Sequence, residues 1–208
     1  SPKQEQHTLD EGSSEVRDTN DDQLLELIVQ VGCSGSGIAA GPQRSQQLTF
    51  GWNDKEFVET DYHPDPPRYR LHAAYDALYA LNHADANLAL SLYDAVLTDG
   101  ELASWEDNIS WIVTSHALYG KLLSTIAVYG PTSVEAEQAF EYVVQTAADL
   151  DLSDTLWVDM AALLWEEISV SENLSSACMA VNDALSAVLS ETPPYLYALN
   201  GIGYWPQF

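Results

Sequence analysis

Cations are scarce in this chain. Its 208 residues carry 7 Lys plus Arg against 32 Asp plus Glu, for a formal charge of -25. A surface of that sign repels phosphate backbones and anionic lipid headgroups, which excludes nucleic-acid partners and electrostatic attachment to membranes. Cysteine is nearly missing: with Cys33 and Cys178 alone, the alternatives are one intramolecular disulfide, which export would permit, and two free thiols, and they carry equal weight. No run of about 18 apolar residues occurs, so membrane insertion as a helix is not expected. The first residue is Ser1 rather than Met, which suggests a processed or excised chain.

What is present suffices for a folded domain, because 46% of the residues are hydrophobic and 10% aromatic, too many for wholesale disorder. Residues 1–22 are the exception. They are polar, close on Asp18-Thr19-Asn20-Asp21-Asp22, and are expected to form a disordered acidic tail. Residues 23–66 are expected to hold a small irregular or β element and a linker. Gln23 to Val31 is apolar and too short to decide between strand and helix, whereas Phe50, Trp52 and Phe57 stand at near-alternating positions, as in a strand paired with the first. Three prolines between Asp61 and Pro67 mark the boundary to the remainder, residues 67–208.

Beyond Pro67 the apolar period changes to that of a helix. Six helices in three hairpins are expected, spanning Arg68 to Ala80, Asp85 to Leu97, Ile109 to Val128, Ser133 to Ala148, Leu156 to Ile168 and Ser171 to Leu189. Ser133 should cap the fourth, with Glu135 and Glu137 at its positive end, and Ser153-Asp154 should cap the fifth. An Ala followed at i+4 by a larger apolar residue and at i+7 by Val or Ala recurs three times: Ala89, Tyr93 and Val96; Ala136, Phe140 and Val143; Ala177, Val181 and Ala184. Those offsets make one helical stripe, and the small Ala permits close approach of a partner helix. After Pro193-Pro194, the aromatic and nearly uncharged tail to Phe208 is expected to cap the last hairpin.

The stretch Ala84-Asp85-Ala86-Asn87-Leu88-Ala89-Leu90-Ser91-Leu92-Tyr93 resembles the start of the second helix of a tetratricopeptide repeat. Arg68-Tyr69-Arg70-Leu71-His72-Ala73-Ala74-Tyr75-Asp76-Ala77-Leu78 is similar to the first helix of such a unit. The spacing here, 47 residues from Ala89 to Ala136 and 41 from Ala136 to Ala177, exceeds the roughly 34 of that family. The Asn200-Gly201-Ile202-Gly203-Tyr204 tail also resembles that of uncharacterised bacterial exported proteins in which a repeat region ends in an Asn-x-x-Gly-Tyr motif. The resemblance implies a mainly α, tetratricopeptide-like array of antiparallel helical hairpins and an extracellular or cell-surface location, with no known reaction.

Catalytic signatures are weak. Gly35-x-Gly37-x-x-Ala40 follows an apolar run, but Pro42 denies it the helix that would hold a pyrophosphate, so a linker is the better reading and no cofactor is expected. His72 and Asp76 stand four residues apart without an HExxH or CxxC motif, so no metal is expected. The helical aromatics Tyr75, Tyr79, Trp111, Tyr119 and Trp165 are the candidate binding residues, since aromatics ringed by acids suit a cationic peptide. The expected function is therefore a non-catalytic protein-binding or assembly module of an exported acidic protein, with a protein or peptide partner and the acid excess leaving room for a basic one. Two rivals are a hydrolase, with His63, His72 and Asp76 as site candidates between the N-terminal element and the first hairpin, and a structural subunit of an extracellular assembly.

Overall fold

A computed structural model describes residues 12–31, 42, 44–105 and 107–191. The expected linker with Cys33, the Gly35 to Ala40 motif and the aromatic C-terminal tail lie outside those residues. The chain divides into two compact units, Ser1–Pro66 and Pro67–Phe208.

The first unit is a four-stranded antiparallel meander, β1 (Ser13–Arg17), β2 (Glu26–Val31), β3 (Gln46–Trp52) and β4 (Phe57–Pro64), in that spatial order. The expected tail is thus not a tail throughout. Ser13–Arg17 is an edge strand, drawn in by backbone hydrogen bonding to β2 while all five of its residues stay exposed. Its polar sequence hid it, because an edge strand needs no buried side chain. The segment 18–25 turns back on its own carboxylates: Asp18 accepts from the N–H groups of Asn20 and Gln23, and Asp22 accepts from Leu24 N–H. Glu26 is buried at the turn's base, where it accepts from the backbone N–H and the hydroxyl of Thr19 at 2.7 and 2.9 Å. At the β3–β4 turn, Asn53 Oδ1 accepts from the N–H groups of Lys55 and Glu56, and Asp54 takes φ 76°.

Cross-strand partners share a face. Val16, Leu27 and Phe50 form one row, Ser14, Val29, Leu48 and Tyr62 a second, and Trp52 with Phe57 a third, all on one side. The opposite side carries Glu15, Ile28, Thr49 and Asp61, then Gln30, Gln47 and His63. A bulge between Thr49 and Phe50 shifts the β3–β4 register, so that Glu59 joins the Phe50 row on the mostly apolar side and Val58 falls on the other. The sheet is amphipathic, as its period-two pattern dictates.

Among its described residues the second unit holds six helices: α1 (Arg70–Asn82), α2 (Ala86–Thr98), α3 (Asp107–Tyr129), α4 (Val134–Asp149), α5 (Leu156–Ser171) and α6 (Leu174–Glu191). Local chemistry sets their ends. Asp85 caps α2 by accepting from Leu88 N–H at 3.0 Å, Ser133 caps α4 by accepting from Ala136 N–H at 3.1 Å, and Glu172 closes α5 in the left-handed conformation. The α5 N-cap is Thr155, not Ser153 or Asp154, and its hydroxyl donates back to Leu152 O instead of capping. None of these six described helices carries a basic residue in its last turn. The carbonyl end of α2 is met from outside, where the Arg70 guanidinium donates to Val96 O and, at 2.9 Å, to Asp99 O. A cation at that negative helix end is favourable. The connector after α2 returns to the start of α1, with Arg70 N–H donating to Ala103 O and Ala103 N–H to Arg68 O. Trp105 sets its edge against Tyr69 at 5.4 Å.

Consecutive helices pack α1 on α2, α2 on α3, α3 on α4, α4 on α5 and α5 on α6, and α3 also meets α1 and α5. The core forms two clusters that share α3. One is built on Leu71, Ala74, Ala77, Ala89, Tyr93, Val96 and Val113, the other on Leu118, Leu122, Ile126, Ala136, Val143, Leu164, Ala177 and Val181. Ala89, Ala136 and Ala177, the heads of the three sequence stripes, each lie at 0% exposure.

Candidate functional site

The five candidate aromatics occupy α1, α3 and α5. Tyr75 and Tyr79 are successive turns of one α1 stripe. Tyr75 is half-buried and its phenol is pushed up to about 12 by burial, while Tyr79 stacks on His83 with centroids 3.9 Å apart. Trp111 stands at the surface near the start of α3. Trp165 lies half-buried and parallel to Phe140 of α4 at 5.0 Å, so one of its faces is already occupied. Tyr119 is different. It is buried in the core beside Trp157 at 5.5 Å, and burial first, then the neighbouring Cys178, raises its phenol pKa. As α3 is enclosed by α1, α2, α4 and α5, an aromatic midway along it fills the interior and presents nothing to a partner.

The candidates of the rival site lie in both units. In the first unit His63 pairs with Asp61 at 2.7 Å, both largely exposed. In the second, His72 is buried, where its Nδ1 accepts from Arg68 N–H at 3.3 Å and its ring meets the edge of Tyr69 at 5.3 Å. Its imidazole thus helps secure the start of α1. Asp76 lies half-buried on the same helix. Among the described residues no group of three His, Cys, Asp or Glu is placed to hold a metal ion. Cys178 is half-buried with a free thiol whose pKa burial raises, the opposite of an activated nucleophile.

Three features escaped the sequence reading. His116 is enclosed by Tyr93 of α2 at 5.7 Å and by the edge of Trp157 of α5 at 4.8 Å. Its Nδ1 has no hydrogen-bond partner, and burial lowers its pKa to about 4. A lone histidine in an apolar run offers no spacing signal, although its flanks Val113, Ala117 and Leu118 mark the position as internal. Lys121 is the second. Its Nζ lies 2.6 Å from Asp94 Oδ1 of α2 and 4.4 Å from the ring centroid of Tyr142 on α4, so one cation joins three helices. It is also the sole Lys or Arg after Arg70, a scarcity that the sequence did offer as a signal. The third is Gly120, whose missing side chain leaves room for Tyr93.

Among the described residues no helix is long and apolar enough to cross a membrane. The chain matches no known family model, no curated protein and no solved structure.

Proposed function

We propose that this chain is a non-catalytic binding module of an exported acidic protein, that its helical unit is a tetratricopeptide-like array, and that its partner is a basic protein or peptide. One observation carries the choice of partner. Lys121, the only cation after Arg70, is held between Asp94 and Tyr142, so it is spent on holding the helices together. Glu135, Glu137, Glu141, Asp159, Glu166 and Asp183 stand exposed along α4, α5 and α6 with no Lys or Arg nearby in sequence. A field of carboxylates without compensating cations draws in basic partners and rejects acidic ones. The array reading is supported by the succession of neighbouring helix contacts and by the burial of Ala89, Ala136 and Ala177 in the two core clusters.

The experiment is a binding titration of the full chain against peptides matched in length and apolar content but graded from acidic to basic, at low and high salt. Affinity should climb with positive charge and fall with salt. Binding that ignores peptide charge would remove the basic partner. Turnover of ester, peptide or glycoside substrates by the purified chain would replace the module with an enzyme.

A further inference from the structure

Among the described residues outside the helices, the sheet of the first unit carries a group of exposed large apolar side chains. The chain runs up β1, down β2, up β3 and down β4, so the 18–25 turn and the 53–56 turn lie at the same end of the sheet. At that end Val16 is 61% exposed, Leu25 60%, Trp52 50% and Phe57 52%. Val16, Trp52 and Phe57 share one face, which Glu59 also joins as the partner of Phe50. Trp52 pairs with Phe57, their rings edge to face at 5.3 Å, and Val16 pairs with Leu27, which pairs with Phe50. Leu25 lies in the turn just ahead of β2, two residues before Leu27. Leaving such a contiguous group in water is unfavourable, and a patch of this kind with a polar rim is the usual mark of an interaction surface.

The rim states which partner fits. Asp18, Asp21 and Asp22 belong to one turn, and Asp54 and Glu56 to the other. Lys55 is the one cation within these two turns, and Arg17 beside them is engaged with Glu15 at 3.4 Å. A second copy of the chain would bring the same carboxylates against these, and an acidic partner would be repelled, whereas Lys or Arg on either side of an apolar segment would meet opposite charge at both turns.

We propose that the turn end of this apolar face, formed by Val16, Leu25, Trp52 and Phe57 between the two carboxylate-bearing turns, docks a peptide segment that is apolar in its middle and flanked by Lys or Arg. This surface rests on the basic-partner reading for the sign of the ligand's charge, and it adds a place on the sheet and a requirement for apolar residues. Charge steers the segment in, and burial of Trp52 and Phe57 supplies the residence time.

The probes are two synthetic peptides, Lys-Lys-Leu-Val-Leu-Val-Lys-Lys and Lys-Lys-Ser-Thr-Ser-Thr-Lys-Lys, titrated into the full chain. The apolar peptide should bind about tenfold more tightly, since each tenfold reflects only one or two buried side chains. Trp52→Ser with Phe57→Ser should abolish that difference and leave the polar peptide's affinity unchanged. Both positions are at least half exposed, and Asp54→Asn with Glu56→Gln gives a second handle that leaves the apolar groups intact and should weaken both peptides several-fold. Equal binding of the two peptides, or a preference that survives loss of both aromatics, overturns this site while the basic-partner proposal stands. Failure of both peptides to bind removes the two together. Concentration-dependent dimerisation that disappears in the Trp52→Ser, Phe57→Ser chain would give the face to a second copy instead and overturn the proposal.

Discussion

The ring of Tyr93 lies against the α3 backbone at Gly120, so that a methyl group built at position 120 would stand 2.5 Å from the ring's Cε2 and 2.6 Å from its Cε1. Tyr93 is itself 1% exposed, so the ring has nowhere to go. In an ordinary helix interior, Gly→Ala stabilises by about 1 kcal/mol. Here the sign should invert: Gly120→Ala is expected to destabilise by about 2 to 4 kcal/mol, because the helices must separate or the ring must leave its rotamer. Chemical denaturation of the single variants and of Gly120→Ala with Tyr93→Leu checks this, and the double variant should be less damaged than the sum of the two. Additive losses would mean that the two positions do not touch.

His116 gives the fold an acid-sensitive joint. Its pKa falls from 6.5 to about 4 on burial, so between those values the unfolded chain binds a proton that the folded chain does not. The stability due to this residue is therefore complete above pH 6.5 and is lost as pH falls towards 4, with a slope approaching 1.4 kcal/mol per pH unit. His116→Phe removes both the titration and the unsatisfied Nδ1. At pH 7.5 it should be neutral or slightly stabilising, and at pH 5 it should be clearly more stable than the parent. Urea denaturation at the two pH values decides, and a stability difference that does not change with pH would refute the assignment.

Lys121→Met keeps the stem that packs against the helices and deletes the charge that Asp94 and Tyr142 share. The Lys121 side chain is 21% exposed and that of Asp94 52%, so solvent screens the pair and the loss should be modest, about 0.5 to 1 kcal/mol. A double-mutant cycle with Asp94→Asn should show coupling at low salt that shrinks at high salt. Coupling below measurement at both would reduce Lys121 to a packing role.

The whole chain should gain stability from salt. With a formal charge of -25, self-repulsion opposes the compact state, and the Debye length falls from about 30 Å at 0.01 M to about 3 Å at 1 M. Melting curves in sodium, magnesium and calcium chloride at matched ionic strength should rise together. A large shift confined to calcium at millimolar concentration would reveal a specific site and contradict the screening account.

Legibility followed the burial pattern. Ala89, Ala136 and Ala177 could be placed in the core because a small residue at the head of a two-turn apolar stripe has few other uses, and all three are fully buried. Ser133 could be read as a cap because its hydroxyl precedes an acidic first turn. The strand Ser13–Arg17 gave no such clue, since its side chains are exposed and its order comes from backbone pairing with β2. Tyr119 was legible as helical but not as internal, because only the packing of α3 among four helices decides which aromatics face inward. Gly120 carried no local signal at all. Its value depends on the Tyr93 ring, 27 residues earlier.

The unequal packing of α3 and α6 has a consequence for how the helical unit opens. Helix α3 is gripped by α1, α2, α4 and α5, whereas α6 closes on α5. Backbone amides in the centre of α3, from Leu118 to Ile126, can exchange with deuterated solvent only when most of the unit comes apart, while those of α6 need only one hairpin to swing away. Protection should therefore decline from α3 outwards to α6, making the last hairpin the hinge leaf through which proteases, or a partner that folds on contact, would first gain access to the core.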